Sequence, residues 1–83
     1  MSGEHETLDV AQWREAANEL SHFQREALER RRIAFVKVDG QRDEATFTVL
    51  VSEQNQDGGF RADGADLRQL LTRAIAFMRR ADR

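Results

Sequence analysis

The sequence predicts an α+β domain with two layers, in which two helices pack on one face of a small antiparallel sheet. Two segments with apolar residues at helical spacing enclose a middle segment whose apolar residues alternate with a period of two. The predicted order is α-β-β-(β)-α, which lets each helix and the sheet bury one apolar face. With 83 residues there is room for one domain and a modest core. We expect residues 1–8 to be a disordered acidic N-terminus and residues 9–83 to form the domain.

The first helix is predicted to begin near Asp9, because Asp9 and Gln12 have the spacing of a capping box, with Thr7 as the competing cap. Ser21 followed by Gln24 could mark a second start, so a kink between residues 18 and 21 stays open. A stripe about 140° wide, expected to lie on the core, holds the apolar residues. These are Val10, Trp13, Ala16, Ala17, Leu20, Phe23, Ala27 and Leu28. The opposite, solvated side carries Arg14, Glu15, Asn18, His22, Arg25, Glu26 and Glu29.

After Arg32 the period changes to two, which predicts a β-hairpin with its turn over residues 39–44. Side chains of alternate residues point to opposite faces of a strand. The buried face should hold Val36, Val38, Phe47, Val49 and Val51. The outer face should hold Lys37, Thr46, Thr48 and Ser52, together with the apolar residues Phe35 and Leu50.

A third strand over residues 59–62 is left open by the sequence. Asp63 is the predicted cap of the second helix, with Asp66 in its first turn. The apolar face of that helix consists of Leu67, Leu70, Leu71, Ala74, Ile75, Phe77 and Met78. The third strand decides the charge layout. With three strands both helices finish at the same end of the sheet, and with two strands they finish at opposite ends.

Composition argues against several classes of function. The net charge of −2 is not that of a polycation, and the absence of Cys excludes disulfides and thiolate metal sites. No catalytic, cofactor-binding or metal-binding constellation is recognisable, so we expect no enzymatic activity and no cofactor. The segment 5–9 has His5 and Glu6 but Asp9 where a zincin helix has its second His, and it lies before the helix. His22 could form a surface pair with Glu26.

The expected location is the cytoplasm of a bacterium, or of a bacterial host if the protein is from a phage. The first six residues are acidic and polar, unlike a signal peptide, and charges interrupt every apolar stretch, so no association with a membrane is expected. Lys37 is the only lysine among 13 basic residues, which is typical of GC-rich codon usage.

The favoured function is a non-enzymatic protein-interaction module, an adaptor or inhibitor that covers a surface of a larger protein and is itself a homodimer. The outer sheet face would make the contact through Phe35, Lys37, Thr48 and Leu50. Small phage or plasmid inhibitors of host nucleic-acid machinery have this size and character. Such an inhibitor could present carboxylates where its target holds phosphate, here Asp39, Asp43, Glu44, Asp57, Asp63 and Asp66.

The alternative function is nucleic-acid binding by an arginine patch that forms if both helices end together. The patch would consist of Arg25, Arg30, Arg31, Arg32, Arg79, Arg80 and Arg83. A contiguous basic patch is the usual electrostatic footprint of phosphate binding. Cations at the end of a helix also have a purely structural explanation, because they stabilise the helix dipole.

Overall fold

Two helices and a three-stranded sheet form in the computed structural model, which describes residues 8–41 and 46–81. This confirms the predicted fold class, and the optional third strand is present. The elements are α1 (Val10–Glu29), β1 (Ala34–Val38), β2 (Phe47–Val51), β3 (Phe60–Gly64) and α2 (Leu67–Ala81).

Helix α1 begins and ends with recognisable capping motifs. The Gln12 amide donates to Asp9 Oδ1 (2.8 Å) and the Asp9 amide donates to Gln12 Oε1 (2.9 Å), which is the predicted capping box. The helix then runs without a break to Glu29, so the kink left open by the sequence is absent. Its end is a Schellman motif, in which the Arg32 amide donates to the Ala27 carbonyl oxygen (2.9 Å). Arg31 occupies the left-handed position, with φ 54°, where glycine is usual.

The sheet has the strand order β1-β2-β3 and both pairings are antiparallel. Val36, Val49 and Ala62 form a row across the sheet, and the next row consists of Phe35, Leu50 and Arg61. Val49 and Ala62 are buried, so their row faces the helices and the Phe35 row faces away. The central strand β2 is hydrogen-bonded to a neighbouring strand on each side, whereas β1 and β3 are the edge strands.

Helix α2 covers β2 and β3 and supplies most of the core. Six of its predicted apolar residues are buried and Phe77 is partly buried. The helix begins after Asp66, whose Oδ1 accepts a hydrogen bond from the Gln69 amide (3.1 Å). The prediction of Asp63 as the cap is wrong, because β3 extends to Gly64 and the Asp63 carboxylate accepts a hydrogen bond from the Thr48 hydroxyl.

Helix α1 packs mainly against α2 rather than on the sheet. Only Ala16 and Phe23 of its apolar stripe are buried, while Trp13 is 47% exposed and Leu28 70% exposed. The expectation that the whole stripe lies on the core is therefore wrong. The reason is that α2 occupies the helical face of β2 and β3, and α1 meets α2 through only one side of its stripe.

Candidate functional site

The two helices terminate beside the same end of the sheet, as three strands require. One carboxylate bridges the ends of the two helices. Glu26 Oε1 lies 2.5 Å from Arg30 Nη1, and Glu26 Oε2 lies 3.3 Å from Arg79 Nη2. Glu26 is 8% exposed, so its assignment to the solvated face is wrong. The burial has a physical reason, since two guanidinium groups compensate the charge. Part of the arginine patch is thus brought together, but around an internal acid.

Arg32 does not join this cluster, because its side chain bonds to the loop after β2. Its side chain is 4% exposed, with Nη1 2.6 Å from Asp57 Oδ2 and Nη2 donating to the Ser52 carbonyl oxygen (2.9 Å). Its guanidinium carbon also lies 5.4 Å from the centre of the Phe77 ring. The Arg32 hydrogen bond, supported by the Gly59 amide, lowers the pKa of Asp57 to about 2. Arg32 is therefore a structural residue that fastens the end of α1 to this loop.

The rest of the predicted arginine patch is divided. Arg25, Arg31 and Arg80 are exposed, whereas Arg83 lies outside the described residues. The exposed basic surface at this end is thus smaller than the seven residues of the prediction.

The predicted contact face on the outside of the sheet is only partly accessible. Phe35 is opposite Leu50 and Lys37 is opposite Thr48, so the four residues are neighbours. Phe35 is 48% exposed and Lys37 is exposed, but Leu50 is partly buried and Thr48 is only 3% exposed. The prediction that Thr46 and Thr48 lie open to solvent is wrong. For Thr48 the reason is its place on the central strand, where the neighbouring strands flank it with Lys37 and Asp63.

The carboxylates proposed as phosphate mimics mostly serve the fold. Asp57 binds Arg32, Asp63 accepts from Thr48, and Asp66 caps α2. Asp39 lies 3.7 Å from Lys37 Nζ and accepts from the Gln41 amide (3.0 Å). Asp43 and Glu44 lie outside the described residues.

His22 pairs with Glu19 (3.0 Å) instead of the predicted Glu26. The Thr72 hydroxyl donates a hydrogen bond to Glu19, and this bond is the main reason why the pKa of Glu19 is lowered. The contact connects α2 to α1.

Across residues 8–41 and 46–81 there is no group of three His, Cys, Asp or Glu side chains placed to hold a metal ion. In the same residues, no helix is long and apolar enough to cross a membrane.

An exposed apolar surface on α1 is the feature that sequence reasoning missed. All seven large apolar side chains left exposed among the described residues come from residues 10–38. On α1 they belong to an uncharged exposed sector with spacings of three and four residues. We call this sector the α1 seam, which consists of Val10, Trp13, Ala17, Leu20, Gln24 and Leu28. Apart from Gln24, these residues repeat at spacings of three and four within the broader stripe that the sequence predicts.

A groove of about 490 Å³ runs between the α1 seam and β1. Apolar side chains line most of it, because α1 does not close down on β1. The lining residues are Leu20, Phe23, Gln24, Ala27, Leu28, Arg32, Ala34, Phe35 and Val36.

Cations border the α1 seam on its solvent side. Arg14 and Arg25 follow the seam in the helical rotation, and both are exposed. Neither forms an ion pair with another residue in the described ranges. The acidic residues Glu15 and Glu29 lie further round the helix. The surface thus combines an apolar strip with two exposed arginines along one border, where Glu29 lies one helical turn from Arg25.

Comparisons with protein family models, curated proteins and solved structures gave no match to this chain.

Proposed function

We propose that this protein is a non-enzymatic protein-interaction module that binds an acidic amphipathic helix of a larger protein along the α1 seam. The observation that carries the proposal is the exposed 3-4 repeat of the seam, apolar except for Gln24, beside an open apolar groove. By holding such a helix the protein would act as an adaptor or as an inhibitor.

The exposure of the α1 seam favours a partner. Soluble monomers rarely leave large contiguous apolar patches in contact with water, and such patches mark interaction sites. Trp13 and Leu28 are both large, and both are about half exposed or more. Covering these side chains would contribute roughly 25 cal/mol for each Å² of apolar surface removed from water.

The spacing of the seam favours a helix as the partner. Residues separated by three and four positions meet the corresponding ridge of a second helix, as in coiled coils and in grooves that bind amphipathic helices. Ala17 at the middle of the seam allows close approach, while Trp13 and Leu20 on either side offer anchors. Aromatic anchors commonly dominate such interfaces.

The charge along the seam favours an acidic partner. Arg14 and Arg25 lack ion-pair partners within the described residues, so a helix with carboxylates beside its apolar stripe would complement them. Complementary charges mainly raise the association rate and discriminate against wrong partners.

Binding to a defined peptide tests this function directly. Trp13 is the only tryptophan and lies in the seam, so its fluorescence reports occupancy without a label. The probe is a helical peptide with leucine at heptad a and d positions and glutamate at the flanking positions, and the control peptide has lysine in place of glutamate. We expect a blue shift and binding at least tenfold tighter for the glutamate peptide at low salt.

Matched variants assign the binding to the seam. Leu20→Asp should abolish the Trp13 response, whereas Ala11→Asp, on an exposed part of α1 away from the seam, should keep it. Unchanged helical circular dichroism of both variants would show that the fold is retained. Equal binding by the two variants would contradict the proposal.

Nucleic-acid binding stays a prediction as the alternative function. Binding assays with the same protein and its variants distinguish it from the binding of a helix. It predicts that a 20-base-pair duplex binds with an affinity that falls steeply with salt. It also predicts that replacing Arg31 and Arg80 with Ala removes this binding while Leu20→Asp leaves it intact.

A further inference from the structure

We propose that the edge of β1 pairs with the β1 edge of a second copy, antiparallel and centred on Val36. The two sheets would join into one of six strands, and the second copy would extend the floor of the groove beside α1. The dimer stands on observations of β1 alone, whereas its role in holding a partner helix rests on the proposed function.

The two edges of the sheet differ in how well they resist pairing. Edge strands are usually protected by charges, proline or bulges. β3 carries Arg61 and Asp63, which lie 3.6 Å apart, and it ends in glycine. β1 is a regular strand whose one charge is Lys37, and the chain has no proline. The exposed Ile33 and Val38 add apolar surface to β1 at both of its ends.

The hydrogen bonds to β2 define which groups of β1 are available. The Ile33 carbonyl oxygen accepts from the Ser52 amide (2.8 Å), and the Asp39 amide donates to the Thr46 carbonyl oxygen (2.7 Å). In an antiparallel sheet the N–H and C=O groups of successive residues point alternately to the two sides of the strand. The odd-numbered residues of β1 therefore bond to β2. The N–H and C=O groups of Ala34, Val36 and Val38 therefore point to the edge that no strand among the described residues covers.

These three outward residues select one register for self-pairing. Centring on Val36 pairs Val36 with its own copy and Ala34 with Val38 in both directions, and each pair exchanges two hydrogen bonds. A shift by two residues either way leaves one outward residue of each strand without a partner. It also stacks Lys37 on Lys37 in one direction, which is unfavourable because like charges repel across strands. In the Val36 register Lys37 instead faces Phe35 of the second copy.

The pairing would complete the groove rather than block it. Ala34 and Val36 line the groove of one copy, and the two-fold axis would place the same residues of the second copy beside them. Two α1 seams would then border one shared apolar floor. A contact limited to one strand edge falls in the range of weak interfaces, below about 1,200 Å² in total, so we expect a reversible dimer.

Disulfide trapping tests this register, because the chain contains no cysteine. Phe35 and Lys37 of the second copy would be a directly opposed pair with Cα atoms about 4.5 Å apart, a distance that permits a disulfide. Mixing a tagged Phe35→Cys protein with an untagged Lys37→Cys protein under mild oxidation should give the mixed dimer at least fivefold faster than either protein alone forms a dimer. Arg61→Cys, on the same face of the sheet at the β3 edge, is the matched control.

Each other outcome overturns part of the proposal. Faster self-coupling of Phe35→Cys or of Lys37→Cys would refute the Val36 register. Coupling no faster than that of Arg61→Cys would refute pairing through β1. If coupling fails while the glutamate peptide still binds at Trp13, the dimer is wrong and the proposed function stands. If coupling succeeds and the peptide does not bind, the reverse holds.

Discussion

Truncation of two side chains on α1, Phe23 and Leu28, should have very different effects on stability. Phe23 is 4% exposed and Leu28 is 70% exposed, although both belong to the apolar stripe of the sequence. Phe23→Ala should lower the free energy of unfolding by about 3–5 kcal/mol, because it removes a buried ring and leaves a cavity. Leu28→Ala should lower it by only about 0.5 kcal/mol, since less than a third of that side chain is buried and Ala favours helix.

The difference is large relative to the whole stability of the domain. At roughly 0.05–0.15 kcal/mol per residue, a domain of this size has about 4–12 kcal/mol in total. Urea denaturation followed by far-ultraviolet circular dichroism should therefore separate the variants. With a slope near 1 kcal/mol per molar urea, Phe23→Ala should lower the midpoint by about 3 M or more and Leu28→Ala by about 0.5 M.

Protein at a few micromolar keeps self-association from contributing to the midpoint. A Leu28→Ala midpoint as low as that of Phe23→Ala would refute the reasoning. It would mean that α1 buries the seam within the monomer, and the case for a docking surface would be lost.

Two further predictions concern the junction between α1 and the sheet. Arg31→Gly should raise the free energy of unfolding by about 1 kcal/mol, because Arg31 has φ 54° and glycine has no Cβ to strain there, whereas Arg31→Ala should give no such gain. The hydrogen bond from Arg32, together with those from the Gly59 and Gln54 amides, lowers the pKa of Asp57 from 3.8 to about 2. The stability that this carboxylate contributes should therefore be complete above pH 3.8 and lost as the pH falls through about 2. Asp57→Asn should make acid unfolding less steep in that window, and carboxyl NMR titration should show Asp57 titrating near pH 2. An ordinary Asp57 titration would contradict the Arg32 contact.

Most of the secondary structure was determined by local sequence. The capping box of Asp9 and Gln12, the alternation in β1 and β2, and the apolar face of α2 each involve residues a few positions apart. Such patterns act within one element, so they could be recognised without knowing where that element packs.

The candidate surface could be predicted only in part. Phe35 and Lys37 were expected on an exposed sheet face and lie there, but Thr48 is shielded by its neighbours on both sides. Apart from Gln24, the α1 seam was contained in the predicted stripe, yet nothing in the stripe indicated which half would remain uncovered. The sequence alone places Arg32 in a basic patch, because its acceptor, Asp57, is 25 positions away.

Tertiary structure decided the features on which function depends. The third strand sends α2 back alongside α1, so α2 covers the sheet and α1 is left against α2 with one side of its stripe free. The same crossing brings Arg79 to Glu26. The physical reason is that the periodicity of a helix or strand fixes the direction in which each of its side chains points. Whether that side chain is buried depends on which other element packs against it.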